Sequence, residues 1–339
     1  MNRRGLLLGA SVLGASALGG CAPITQHALI PEAGFGGPRI EAGDFVSFDG
    51  ARLPLQVWPA LGGEPWAVIV ALHGMNDYAE AFTLAGPFWT EAGVTTYAYD
   101  QRGFGRSPSR GVWGGEGLMV DDLRTLCALV RARHPHATLA VVGESMGGAV
   151  AINAFASDTP PDADRLVLLS PAVWGWHDQS LPENLALWIG AHMAPSRALE
   201  PPGFLTRKIR ATDNIEILRK MSRDRNLIFS TRIDALYGLV GLMQDAQDRI
   251  GRIRAPLLYQ YGAHDQIIPP GAAYHAVAKL GANARTAWYR DGYHILNRDL
   301  GREKPLSDIL AFIRDPRAAL PSGAPPVPHS PDTTISGLK

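Results

Sequence analysis

Five runs, at 67–72, 95–99, 139–142, 166–169 and 257–261, are apolar almost without interruption. A strand with one face in water alternates apolar and polar side chains, so runs this continuous belong to strands covered on both faces. Helix-period stretches at 119–133 and 148–156 lie between them, and a further run at 285–289 precedes a helix near 306–313. Strand, helix, strand repeated in this way predicts an α/β domain with a doubly wound, mostly parallel sheet. Two earlier runs, 44–48 and 53–58, flank Asp49-Gly50 and predict a hairpin ahead of the parallel strands. With 339 residues, 46% of them hydrophobic, the chain suits one such domain carrying an insertion.

The alternation stops at Ala172. From 172 to 252 helical segments carry Trp174, Trp176, Leu185, Trp188 and Ile189, then Ile228, Leu236, Tyr237, Leu239 and Met243. These predict a helical cap inserted between two strands, its apolar side chains lining an acyl pocket; further sheet-covering helices are the alternative. The core is then expected over 41–171 and 253–315. Past Pro316 the chain is dominated by Pro, Ala, Ser and Gly, and 316–339 is expected to be a disordered tail.

At the other end, Arg3-Arg4 precedes an apolar run from Gly5 to Leu18, then Gly19-Gly20-Cys21. That is the plan of a secretory signal peptide. Leu18-Gly19-Gly20-Cys21 resembles a bacterial lipobox, which makes 1–21 a lipoprotein-type signal and Cys21 the lipid attachment site. The arginine pair is similar to a twin-arginine export signal. A single membrane anchor is the other reading, although the run is short for a bilayer span. Both place the domain outside the cytoplasm and attached to a membrane, on the periplasmic side of a bacterial envelope, with the Gly- and Pro-rich 22–40 as a tether. Cys127, the other cysteine, recurs with Leu123, Leu126 and Val130 at helical spacing and is expected to be a core thiol. Two cysteines make neither a disulfide framework nor a metal cluster. The 32 basic and 32 acidic side chains cancel, and no basic face points to a nucleic-acid partner.

The chemistry is concentrated in Val141-Val142-Gly143-Glu144-Ser145-Met146-Gly147-Gly148, a Gly-x-Ser-x-Gly pattern after a strand and before a helix, as a nucleophile elbow requires. Gly143 and Gly147 are glycines because a Cβ at either would clash in so tight a turn. The strained turn lifts the Ser145 hydroxyl above the sheet, and the positive end of the following helix favours an anionic intermediate. A serine needs a base. Of ten histidines, His27 and His329 fall in the tether and tail, His134 and His136 follow a surface helix, His177 and His192 belong to the cap, and His275 sits in a helix after Pro269-Pro270. His73, His264 and His294 remain, and His294 lies on a loop beyond the last strand, where α/β sheets place reactive groups. Asp265, in the loop after 257–261, is expected to orient the imidazole, with His264 as a neighbour. The order Ser145, Asp265, His294 is that of α/β-hydrolases. Backbone donors for an oxyanion are assigned to the Met146 and Met75 amides; His73 shapes the latter's loop, and Asp77 is read as a surface charge.

The chain resembles the monoacylglycerol lipase and lysophospholipase branch of the α/β-hydrolases, grouped with the serine aminopeptidase S33 domain. The motifs that carry the match are His73-Gly74-Met75, Asp100-Gln101-Arg102-Gly103-Phe104-Gly105-Arg106-Ser107, Gly143-Glu144-Ser145-Met146-Gly147-Gly148, Gly262-Ala263-His264-Asp265 with Pro269, and Gly292-Tyr293-His294. The resemblance runs from about Phe45 to Ile313 outside the cap. It implies that Ser145, Asp265 and His294 form the triad, that Met75 and Met146 supply the oxyanion donors, and that 100–107 is a structural loop. It departs from the pattern at Glu144, where the lipases often carry histidine, and at Asn76-Asp77, in place of a more usual Gly-Glu. The expected activity is cleavage of a carboxylic ester, in a monoacylglycerol or lysophospholipid, through an acyl-enzyme that needs neither metal nor organic cofactor. An aminopeptidase or acyltransferase using the same triad is the alternative, with Glu183 or Glu200 as an amine-gripping acid; a non-catalytic binding lipoprotein is the third.

Overall fold

Every expected strand forms, with bounds within two residues of the apolar run that predicts it. The computed structural model describes residues 22–200 and 209–329; the signal segment and its Cys21 lie outside the described residues. Three strands lead in antiparallel, β1 (Arg39–Glu41), β2 (Asp44–Val46) and β3 (Arg52–Trp58), with Asp49-Gly50 turning β2 into β3 and Gly50 at φ +84°. Then come β4 (Ala67–Leu72), β5 (Val94–Tyr99), β6 (Thr138–Glu144) and β7 (Arg165–Leu169). Past a short antiparallel ribbon of β8 (Ala198–Leu199) and β9 (Thr231–Arg232) follow β10 (Leu257–Gly262) and β11 (Ala284–Tyr289). The main sheet runs β1-β2-β3-β5-β4-β6-β7-β10-β11 and is parallel from β5 to β11. This is the α/β-hydrolase fold, a doubly wound and mostly parallel sheet.

The described α-helices are α1 (Ala85–Glu91), α2 (Glu116–Arg133), α3 (Met146–Phe155), α4 (Leu181–Met193), α5 (Ile215–Met221), α6 (Ile233–Arg249), α7 (Pro270–Ala278) and α8 (Glu303–Arg314). Strand periodicity divides the core in two. From β4, Val68, Val70 and Leu72 enter one cluster with Leu123, Val150 and Leu242 of α2, α3 and α6. The alternate residues Ala67, Ile69 and Ala71 enter the other with Trp89 of α1 and Phe312 of α8. On α8 the fully buried Leu306, Ile309, Phe312 and Ile313 recur at helical spacing, each contributing roughly 1.5–3 kcal/mol of burial. Cys127 is a buried free thiol in the first cluster.

Three segments differ from their sequence expectation. The stretch 172–252 divides: α4 packs on α6, and α6 in turn packs on α3, where Asn153 Nδ2 donates to Leu242 O at 3.2 Å. Its Val240, Leu242, Met243 and Ala246 belong to the main core, so this part is a sheet-covering helix. The described part of the tail, 316–329, is packed rather than disordered. It covers the open edge of β11, with Trp288 N bonded to Pro325 O at 2.8 Å and Val327 buried. Likewise the tether docks: Gln26 N donates to Trp113 O at 2.8 Å and Leu29 N to Asp49 Oδ2 at 2.9 Å.

Candidate active site

Strand register sets the site. Leu72 of β4 pairs with Gly143 of β6, so the loop after β4 and the turn after β6 leave the sheet side by side. Gly262 of β10 pairs with Tyr289 of β11, which brings the Asp265 and His294 loops together in the same way. All four emerge from carboxyl ends of parallel strands.

Ser145 sits between β6 and α3 at φ 51°, ψ −117°, a conformation that non-glycine residues rarely adopt. The two glycines are forced. A Cβ on Gly143 would stand 2.6 Å from Gly147 O, and one on Gly147 would run into the backbone and side chain of Leu72. Gly74 passes so close that a Cβ there would lie 3.2 Å from Ser145 Cβ. That approach lays the 73–75 loop against the serine. Neither the Met75 nor the Met146 amide donates a hydrogen bond among the described residues; Met146 opens α3, where the first amides have no partner within the helix.

His294 and Asp265 are joined. Both are buried, and the imidazole Nδ1 donates to Asp265 Oδ2 at 2.8 Å. The other carboxylate oxygen accepts the amides of Ile267 and Ile268 at 2.8 and 2.9 Å, which fixes the carboxylate. With Nδ1 committed as donor, Nε2 is the free basic nitrogen. Burial disfavours a charged His294, but the charge and hydrogen bond of Asp265, helped by the charge of Glu144, outweigh it and hold the imidazole above its usual range. Ser145 Oγ makes no hydrogen bond to His294, a contact that often tightens only when substrate binds. The two loops are nonetheless bridged nearby, since Arg298 Nη2 lies 2.8 Å from Glu144 Oε1.

His73 is structural. Fully buried, it accepts from Gln101 N through Nε2 at 2.9 Å and donates from Nδ1 to Gly74 O at 2.8 Å, tying the 73–75 loop to the 100–107 loop; burial lowers its pKa. His264 is exposed, and its ring lies 5.2 Å from that of Tyr293. Asp77 is not a surface charge. It is buried and bonded to Arg298 Nη2 at 2.8 Å. The Glu144–Arg298–Asp77 group is the feature that sequence reasoning missed. Glu144 inside an apolar turn was the available signal, because a buried carboxylate requires a counter-ion. Burial pushes the Glu144 carboxyl up and Arg298 pulls it back.

The cap also differs in orientation. On α4 the residues Leu181, Leu185, Trp188, Ile189 and Met193 form one exposed stripe rather than an inward wall, Leu181 being 84% and Met193 77% exposed. Trp176 instead packs inward against Tyr237, with ring centroids 5.2 Å apart. Glu183 is committed to capping α4, accepting from Ser180 N and Oγ at 3.0 and 2.8 Å.

The family model described as "Serine aminopeptidase, S33" matches residues 63–301. A monoacylglycerol lipase of Mycolicibacterium smegmatis is 26% identical over 282 residues, 79% of this chain and 95% of that one. The monoglyceride lipase of Mus musculus is 22% identical over 83% of this chain and 93% of its own length. Among solved structures, a soluble variant of the Saccharomyces cerevisiae monoglyceride lipase, bound to a substrate analogue, superposes with a TM-score of 0.67 at 17% identity, covering 84% of this chain and 97% of that one.

Proposed function

The chain belongs to the serine aminopeptidase S33 family of hydrolases and is a carboxylic ester hydrolase of the monoacylglycerol lipase type, and from that premise we propose that it cleaves acyl esters of small lipids with Ser145 as nucleophile. The observation that carries the assignment is the buried 2.8 Å His294–Asp265 bond at strand ends beside the strained Ser145 elbow. His294 takes the Ser145 proton as the hydroxyl attacks the ester carbonyl. The Met75 and Met146 amides hold the oxyanion, and the alcohol leaves with the proton that His294 returns. Water activated by the same nitrogen then clears the acyl-enzyme. Monoacylglycerol or a lysophospholipid is the substrate class, supported by relatives named monoacylglycerol and monoglyceride lipase. For the aminopeptidase alternative, Glu183 is engaged in capping α4 through Ser180, which leaves Glu200 as the candidate amine-gripping acid. In this reading 1–21 exports the chain and Cys21 ties it to a membrane; the support is the sequence pattern alone.

The test is a substrate panel on the soluble domain: monoacylglycerols, lysophospholipids and aminoacyl p-nitroanilides, with a fluorophosphonate probe mapped by peptide mass spectrometry. Probe on Ser145 and turnover of the first two classes are expected; aminoacyl amide turnover at a matching rate would replace the lipase proposal with the peptidase one. A pH profile adds a second check. His294 must be neutral to accept a proton, so kcat/KM falls as pH drops through its pKa. Because Asp265 raises that pKa, the acid limb should lie above the ordinary imidazole value of about 6.5. A limb below that value contradicts the pairing.

A further inference from the structure

Asp77, Glu144 and Arg298 stand on the three loops that carry the Met75 amide, Ser145 and His294, yet no acyl-transfer step employs them. Asp77 follows Met75 by two residues, Glu144 immediately precedes Ser145, and Arg298 follows His294 by four. A single nitrogen, Arg298 Nη2, lies 2.8 Å from both Asp77 Oδ2 and Glu144 Oε1. All three residues are buried, Glu144 to 1% exposure. Buried ion pairs are often no more stabilising than apolar side chains of the same volume. Stability alone therefore does not account for three charges meeting at this point.

We propose that Arg298 is a positioning residue: its guanidinium ties the oxyanion loop, the nucleophile elbow and the base loop into one unit, fixing where Met75, Ser145 and His294 stand relative to one another. This rests on the Ser145–His294 assignment above. The clamp is braced from the cap side. Asn214 Nδ2 donates to Arg298 O at 3.1 Å, and Arg298 Nη1 lies 3.9 Å from Met221 Sδ of α5. Beside Asp77, Asn76 takes Ile228 N on its carbonyl at 3.1 Å and donates from Nδ2 to Thr231 Oγ1 at 2.7 Å, and its backbone is held at φ 64°. The clamp is also electrostatic. The charged groups that face His294 are Asp265, Glu144 and Arg298; the Glu144 charge favours the imidazolium and the Arg298 charge opposes it.

The experiment compares wild type, Arg298→Met, Arg298→Lys and Glu144→Gln in p-nitrophenyl butyrate kinetics from pH 5 to 9, with fluorophosphonate labelling rates on the same samples. Arg298→Met should lower kcat by about 10- to 100-fold with KM within about twofold, because misplacing reacting groups by an ångström has that effect on the chemical step. Arg298→Lys, which keeps the charge, should recover most of the loss. Glu144→Gln leaves Arg298 paired with Asp77 and should move the acid limb to lower pH, a change that a purely structural role would not produce. Where Arg298→Met does not fold, the lysine variant and the Glu144→Gln limb decide. Unchanged labelling rates and an unmoved limb in all variants overturn the clamp while leaving Ser145 as nucleophile; a wild type that the probe does not label on Ser145 overturns the assignment beneath it.

Discussion

Ser145→Ala should abolish ester turnover, with kcat reduced by roughly 10⁴- to 10⁶-fold, while the protein stays folded. The size follows from the way nucleophile, base and orienting acid act as one unit: once the attacking oxygen is gone, His294 and Asp265 have no proton to move. What survives is the background that oxyanion donors and binding provide with water as nucleophile. The second half of the expectation is as specific as the first. Ser145 Oγ makes no hydrogen bond among the described residues, so its removal orphans no partner. Its backbone at φ 51° is held by Gly143 and Gly147 against Leu72, and an alanine inherits the same strain, not a greater one. Steady-state p-nitrophenyl ester assays beside a far-UV spectrum and a thermal midpoint decide it. Activity within tenfold of wild type in a folded variant would remove Ser145 from the mechanism.

Local periodicity made the sheet legible, and strand ends made the candidate residues legible. Runs such as 67–72 are apolar at every position, and the structure uses that by sending Val68, Val70 and Leu72 to one core and Ala67, Ile69 and Ala71 to the other. Asp265 and His294 could be selected because reactive groups in such sheets leave from carboxyl ends. What escaped depends on partners far off in the chain. Glu144 meets an arginine 154 residues away, and that same guanidinium turns Asp77 from a supposed surface charge into a buried one. The tail misled by composition. Its Pro, Ala and Ser content reads as disorder, but β11 is an edge strand whose Trp288 amide donates to Pro325 O, and Val327 finds a buried seat beside it. The α4 stripe has ordinary core spacing, and spacing alone does not say which side of a helix meets the protein.

Arg102→Met should destabilise the fold by about 3–5 kcal/mol at pH 7.5, the largest stability effect expected of a single side chain here. Arg102 is buried, and its guanidinium serves two carboxylates at once. Nη1 and Nη2 bond Asp49 at 2.9 and 2.8 Å, while Nε and Nη2 bond Asp122 at 2.6 and 2.8 Å. Methionine fills much of the volume but leaves both carboxylates without a counter-ion, and Asp49 also anchors Leu29 of the docked N-terminal segment. The loss should depend on pH, with a sign that can be worked out. Burial raises the Asp122 carboxyl to about 6 even with Arg102 pulling it down. A carboxyl whose folded pKa lies above its unfolded value binds its proton more tightly when folded, so acidification relieves the burden of the buried charge. Removing Arg102 raises that pKa further, so the gap between variant and wild type should narrow as pH falls from 7.5 towards 5. Urea midpoints at the two pH values measure this. A loss under about 1 kcal/mol, or a gap that widens on acidification, would mean that the Asp49–Arg102–Asp122 group does not hold the hairpin, α2 and the 100–107 loop together.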